Sequence, residues 1–496
     1  MILPAIRKRA CLVGAVVFIS YAYFYQGGGW NQNSRFDLVR AVLEQGALRI
    51  DAYHENTGDK AFVNGHYYSD KAPGLVLLAL PAAAATRPLL RAVGVDPASP
   101  RGLVAISYSA TVFGVALPMA AACAGLFLIA WRLGSSADAA AFGALGLGLA
   151  TPMWAYATLF WGHALAGACL LFAFALAVTL RGGHKRTRDL PLGLVTGLAA
   201  GWATVSEYPA APASAILVIL ALAQVWPDGW PRRLRIGMCI TAGVLASIAV
   251  LMAYHHLAFG SAFHPSYSYY PEGAFPRTKR GYLGLTYPQP DVMVKLLFGC
   301  RRGLLLLAPV VAAAPFGLRL LWKNPRTRAA AAAAASIAAY YFLFNASFSA
   351  FYGGWSYGPR YMAPGLPLLC LGLAPVWNQA RPPLRRVLAV LAVCSALFSL
   401  IAVSTTAQPP NQFTCPLPQL LWPSFWAGKL SLNQASVLTD SEAGTEHTHG
   451  AFNLGERAGL HGLASLIPLL ALWGVAALLW IRLNRTAGQP TYEPQS

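Results

Sequence analysis

Charge is scarce in this chain. Of 496 residues only 11% are Asp, Glu, Lys or Arg, against 56% hydrophobic, whereas soluble domains carry about 25% charged residues. A water-soluble globule is therefore not expected. Acid is scarcer than base: 18 carboxylates stand against 37 Lys and Arg, a formal charge of +19. That surplus would suit nucleic acid, but the basic residues form short clusters between apolar runs, as membrane topology signals do. No nucleic-acid partner is expected. The eight cysteines contain no CxxC pair, which removes the zinc and redox signatures. Six of them sit in apolar segments as small buried hydrophobes. Cys300 and Cys415 can both face an oxidising side, where one disulfide can form. The opening basic residues and apolar run lack a small-residue cleavage site, so they read as an uncleaved anchor helix. Internal repeats and a separate soluble domain are also missing.

What the chain has in abundance is apolar runs near the ~20 residues that span a bilayer. They fall at 10–27, 103–131, 137–158, 163–181, 190–206, 209–226, 236–258, 303–321, 329–350, 361–377, 387–404 and 460–481. The expectation is an all-α polytopic membrane protein with about twelve transmembrane helices in one domain, 1–485, and a disordered cytoplasmic tail, 486–496. Lys and Arg stay in short cytoplasmic loops. Arg7, Lys8 and Arg9 put the N-terminus inside, and alternation then predicts inside positions at Arg132, Arg181–Arg188 (Lys185 among them), Arg232–Arg235, Lys323–Arg328, Arg381–Arg386 and Arg482–Arg485. Every cluster falls where the count requires. Segment 74–91 carries Pro81, Pro88, Arg87 and Arg91 and is expected to lie in the outer interface, apolar face down.

Three large pieces then share the outer face: 28–102 with its interfacial helices, 259–302 and 405–459. The first begins NQNSRFDLVRAVLEQG. Ser34 can cap a helix running to Gln45, with Gly46 as its stop. That helix would carry Arg35, Asp37, Arg40 and Glu44, and could present Asp37 to a cavity above the bundle; a plain Asp37–Arg pair is the bland alternative. Asp51, Glu55 and Asp59 follow, then HYYSDKAPG, where Lys71 suits phosphate as a point charge and Asp70 could ligate a divalent ion or orient an acceptor. The run FGSAFHPSYSYYPEGAF adds aromatics, His264 and Glu272, as sugar platforms or as interface markers. Arg301 and Arg302 break the positive-inside bias, through anion contact or through snorkelling. In FYGGWSYGPRYMAPGLP, Arg360 can grip a phosphate bidentately, flanked by Trp355, Tyr357 and Tyr361. His163, Glu207 and the His255–His256 pair lie at outer helix ends, where polar groups are functional suspects.

These residues resemble the GT-C membrane glycosyltransferases that use polyprenyl-phosphate sugars, the group of the protein O-mannosyltransferases and the aminoarabinose transferase of lipid A. The resemblance rests on Arg40, Leu43 and Gly46 after the first helix, then Asn64, Gly65, Tyr68, Asp70, Lys71 and Pro73, and later Arg360, Tyr361 and Pro364. It implies an inverting transfer on the outer face of a bacterial inner membrane, to a periplasmic glycan, lipid or protein. An acidic residue would deprotonate the acceptor, with Asp37 or Asp70 the catalytic candidates; Lys71 and Arg360 would hold the donor phosphate. Asn31, Arg35, Arg40, Asp59, His163, Glu207, His264 and Tyr357 are further site candidates. Some members use a divalent metal, which would place one at Asp70. The pattern departs from the family at Asn31-Gln32, where members often carry acids, and at His163, near a second common Asp. A transporter or flippase of lipid-linked saccharide, or a non-catalytic relative, is the alternative.

Overall fold

In a computed structural model the described residues are 4–181, 186–271, 274–276, 280–433, 435–438 and 450–486. Glu272, Lys185 and the tail after Thr486 lie outside them. In lipid a backbone must satisfy its own polar groups, and an apolar run does so by becoming a helix. Among the described residues eight helices are long and apolar enough to cross a membrane: Gly74–Ala92, Pro100–Arg132, Gly162–Thr179, Tyr208–Val225, Trp230–Phe259, Arg328–Ser347, Pro382–Thr405 and Gly462–Arg485.

That number falls short of the expected twelve, and proline is a large part of the reason. The run 137–158 divides into Ala137–Leu149 and Met153–Ala157, with Pro152 at the break. The run 303–321 becomes Leu304–Leu307, Pro309–Ala313 and Ala314–Lys323. The run 361–377 becomes Arg360–Gly365, Leu366–Cys370 and Leu373–Gln379. Pro309, Pro315, Pro364 and Pro367 each remove a backbone donor where one helix yields to the next. The first expected span is helix α1 (Pro4–Ala22), which starts among its basic residues.

Segments expected on the inner side meet at one end of the bundle. Arg9 donates to the Leu483 carbonyl at 3.1 Å, Ser136 N to Asn378 Oδ1 at 3.0 Å and Arg232 to the Leu180 carbonyl at 2.9 Å. Arg181 reaches the Arg326 carbonyl, and Arg232 pairs with Asp189 at 2.8 Å. The helix Gly162–Thr179 runs from this basic end to His163, a rise of roughly 27 Å.

The polar stretch near the start forms the opposite end. Helix α2 (Trp30–Arg40) starts four residues before Ser34, after Gly29 at φ 141°, so Ser34 is an interior residue and not its cap. A π-helical turn, Ala41–Gln45, ends at Gly46 with φ 63°, the stop expected there. The helix is not a surface helix: Asn31 through Val39 are all buried. Described residues of the loop 405–459 cover it. Asn33 Nδ2 donates to the Ser436 carbonyl at 3.1 Å and Gln408 Nε2 to the Gly28 carbonyl at 2.7 Å.

Two small ribbons interrupt the helical pattern. Strand β1 (Phe24–Tyr25) pairs with a strand at Phe452–Asn453, and β2 (Lys60–Val63) pairs antiparallel with β3 (His66–Ser69). Asn64 and Gly65 join β2 to β3 at φ 51° and 83°. Two successive positive φ angles make the Asn-Gly turn that right-twisted hairpins favour. Its second strand leads straight into Asp70 and Lys71. Helix α3 (Gly74–Ala92) follows, and Arg87 near its far end donates to the Leu43 carbonyl at 2.8 Å. Ser34 of α2 meets Asp70 just ahead of α3 at 3.3 Å, so α3 runs beside α2 and its π-helical turn in the same direction. It was expected to lie in the interface, yet it is also long and apolar enough to cross.

Candidate active site

A cavity of about 570 Å³ opens among these polar elements. Asn31, Asp59, Lys71, His163, Glu207 and Arg360 all line it. They come from six separate stretches: α2, the turn before β2, the exit of β3, the start of Gly162–Thr179, the Glu207 corner and the start of Arg360–Gly365.

Lys71 is the best-braced cation. Its Nζ lies 2.8 Å from Asp59 Oδ2 and 2.8 Å from Asp70 Oδ2. Burial alone would pull its pKa down, but the two carboxylates outweigh burial and hold it above the ordinary lysine value. Asp70 sits behind Lys71, fully buried. Its carboxylate also accepts from Tyr270 OH at 3.0 Å and Ser34 Oγ at 3.3 Å, and Ser266 Oγ donates to its backbone carbonyl. Burial, with Asp59 adding, raises its pKa against the pull of Lys71. An ammonium has three donors; two are committed to the carboxylates.

Arg360 lies across the cavity lining. Its guanidinium stacks 4.2 Å from the Trp161 ring centroid. Its Nη1 donates to the Gly353 carbonyl at 3.1 Å and its Nε to His163 Nε2 at 2.8 Å. That last bond leaves the imidazole proton on Nδ1, facing Glu207 Oε1 at 3.1 Å. Glu207 Oε1 also takes Arg35 Nη2 at 2.8 Å, and Arg35 reaches Asn31 Oδ1 with Nη1. Burial pushes the Glu207 carboxyl up, yet His163, Arg35 and Arg360 outweigh it and hold it down at about 2. Glu207 is thus an anionic hub that orients His163 and the arginines.

Six of the expected site residues lie elsewhere. Asp37, the first choice for a general base, does not line the cavity. It is fully buried, accepts from Asn56 Nδ2 at 3.2 Å and leaves Oδ2 without a partner. Burial pushes its carboxyl well above the ordinary range. Helix geometry accounts for this: Asn31 and Arg35 share one face of α2, and Asp37 is turned about 200° from Arg35 at 3.6 residues per turn. Asp70 is also off the cavity wall, as described. Arg35 is buried behind Glu207. Arg40 pairs with Glu44 at 3.3 Å and stacks on Tyr53. His264 is exposed on its loop, and Tyr357 is buried, its carbonyl accepting from Tyr156 OH at 2.7 Å.

The residues at Asp70 do not suit a divalent metal. Asp70 Oδ2 is engaged by Lys71 and Tyr270, and Oδ1 by Ser34. Among the described residues no group of three or more His, Cys, Asp or Glu is arranged to hold a metal ion.

Arg302 is wrapped by the carbonyls of Tyr352, Gly354 and Ser356, so it organises the loop beside Arg360. Arg301 donates to Asn411, a cavity residue, next to a Cys300–Cys415 disulfide. Composition and spacing did not single out Trp161, Tyr267, Tyr270 or Gln408, which also line the cavity. The tyrosines lie in the aromatic-dense run, and that density was the available signal.

No family model matches this sequence, and no curated protein matches it. Among solved structures the chain is similar to ArnT from Cupriavidus metallidurans bound to undecaprenyl phosphate, with a TM-score of 0.51 and 17% identity over 96% of this chain and 75% of that one. It is also similar to the archaeal oligosaccharyltransferase AglB from Archaeoglobus fulgidus, solved with an inhibitory peptide and a dolichol-phosphate, with a TM-score of 0.47 and 12% identity over 82% of this chain. The chain spans 57% of the length of AglB. Over 96% of its length the chain shares the fold of ArnT, and that fold is GT-C-like.

Proposed function

We propose that this chain is a membrane glycosyltransferase that moves a sugar from a polyprenyl-phosphate donor to a periplasmic acceptor. The observation that carries the reading is that Lys71 and Arg360, far apart in sequence, line one cavity together with Asp59. Cations placed where charge develops on a leaving group stabilise the transition state. The third Lys71 donor and the Arg360 guanidinium would receive the departing lipid phosphate as the bond from the anomeric carbon to the phosphate oxygen breaks. The acceptor hydroxyl would attack from the opposite face. Asp59, at the cavity wall, takes its proton. Asp37 is replaced in that role because a general base must come within hydrogen-bond reach of the proton it removes. Asp70 then positions Lys71.

The undecaprenyl phosphate in the ArnT structure supports a lipid-linked donor. The aromatic wall suits sugar faces or prenyl chain alike. A disulfide persists in oxidising compartments, and the Cys300–Cys415 bond lies at the cavity end, which supports a periplasmic site in a bacterial inner membrane. Asn31 and His163, standing in the cavity where the resembled family carries acids, favour a second reading: a relative that binds lipid-linked sugar without transferring it.

The deciding experiment is release of polyprenyl phosphate by the purified protein from a panel of lipid-linked sugars, with envelope extract as acceptor. We expect turnover, and a fall of about 10²–10⁴-fold in kcat for Asp59→Asn, with donor binding retained. Wild-type-like turnover in Asp59→Asn removes the base assignment. Donor binding with no release from any sugar favours the second reading.

A further inference from the structure

A second cavity, of about 1160 Å³, lies at the basic end of the bundle. It opens between α1, the helix Ala137–Leu149, the end of Leu373–Gln379, the start of Pro382–Thr405 and the last helix. None of its residues belongs to the site described above. Its polar end is made by Arg9, Arg385 and the N-terminus of Ala137–Leu149. Arg9 is only 4% exposed, donates Nη2 to the Leu483 carbonyl, and leaves a buried Nε with no partner. Its guanidinium lies 5.7 Å from the Trp480 ring centroid. Arg385 is held in place by the Trp377 and Asn378 carbonyls at 3.2 and 3.4 Å. Ser136 caps the Ala137–Leu149 helix by accepting from Ala139 N at 3.3 Å, and the positive end of a helix dipole favours an anion.

Away from this polar end the cavity is lined by Leu12, Val16, Leu145, Leu149 and Ala477. From Arg9 to Val16 the α1 wall rises roughly 10 Å. Cations at one end and aliphatic side chains beyond fit an amphiphile whose head is negative. Asp138 stands at the rim, its Oδ1 accepting from Trp480 Nε1 at 3.2 Å and Asn484 Nδ2 at 3.5 Å. The two lining arginines outnumber it, and the neighbouring Arg7, Lys8 and Arg386 are exposed. Basic pockets between membrane helices recognise anionic lipid headgroups.

We infer that this cavity holds an anionic membrane phospholipid of phosphatidylglycerol chemistry. Its phosphodiester meets Arg9 and Arg385, a headgroup hydroxyl donates to Asp138, and an acyl chain lies along α1. A headgroup of no net charge gains less from a lining with a net positive charge, so phosphatidylethanolamine is the weaker ligand.

The test uses full-length delipidated protein titrated with phosphatidylglycerol or phosphatidylethanolamine, read by native mass spectrometry and by thermal unfolding in detergent. Phosphatidylglycerol should stay bound and raise the midpoint, with affinity at least about tenfold above that for phosphatidylethanolamine. Arg385→Gln should lose that tenfold preference, whereas Asp59→Asn should keep it. Arg385 touches only nearby carbonyls among the described contacts, so its variant folds; Arg9→Gln is the second variant. Equal affinity for both lipids, undiminished phosphatidylglycerol binding in Arg385→Gln, or no retained phospholipid overturns the inference.

Discussion

At Asp37 and Asp59 the same side chain meets two different fates. Asp59 is partly exposed on the cavity wall and pairs with Lys71. Asp37, on α2 itself, is fully buried with one oxygen unpaired. A carboxyl whose pKa is raised by burial takes up a proton on folding, so its contribution to stability falls as pH rises from its ordinary value near 4. Asp37→Asn removes that titration while keeping the shape and the oxygen that accepts from Asn56. The variant should therefore match wild type near pH 4 and melt at a higher temperature at pH 7. It should release polyprenyl phosphate at close to the wild-type rate. A large loss of turnover at unchanged donor binding would return the base role to Asp37.

The β2–β3 hairpin is the element that delivers Lys71. Its Asn64-Gly65 turn is tied to the site only through the backbone, and a Cβ at Gly65 would meet open space. What glycine supplies there is the positive φ of 83°. A β-branched residue in that conformation costs about 1–2 kcal/mol, enough to shift a local population by roughly 5–30-fold. Gly65→Val should thus lower the rate of polyprenyl phosphate release by that order, with helical circular dichroism unchanged. Gly65→Asn, which tolerates left-handed backbone, should recover most of it. Equal rates in all three proteins would mean that the hairpin does not govern Lys71. In the sequence Asn64 and Gly65 stand out only through the family resemblance, and the ribbon leaves no signal there because four-residue strands are too short to show a period.

Across the whole molecule, the basic clusters gather at one end and the cavity opens at the other, joined by helices such as Gly162–Thr179. If that axis is the membrane normal with the cavity outward, position 263 is periplasmic and position 386 cytoplasmic. In a background lacking the free cysteines, Phe263→Cys should react with an impermeant maleimide on intact cells, and Arg386→Cys only after lysis. The reverse pattern would turn the protein over. The charge scarcity, the apolar runs and the positions of Lys and Arg determined by themselves that this is a helical membrane protein with its basic loops at one end. They also marked Lys71 and Arg360, because an isolated cation beside aromatic and turn residues stands out in an apolar chain. Only the tertiary structure decided which carboxylate meets them. Rotation about a helix and the cover of a distant loop select the exposed face, and neither is written in the local order of residues; so Asp37 is buried, Asp59 reaches the cavity, and Glu207 joins His163 to Arg35 across 172 positions of chain.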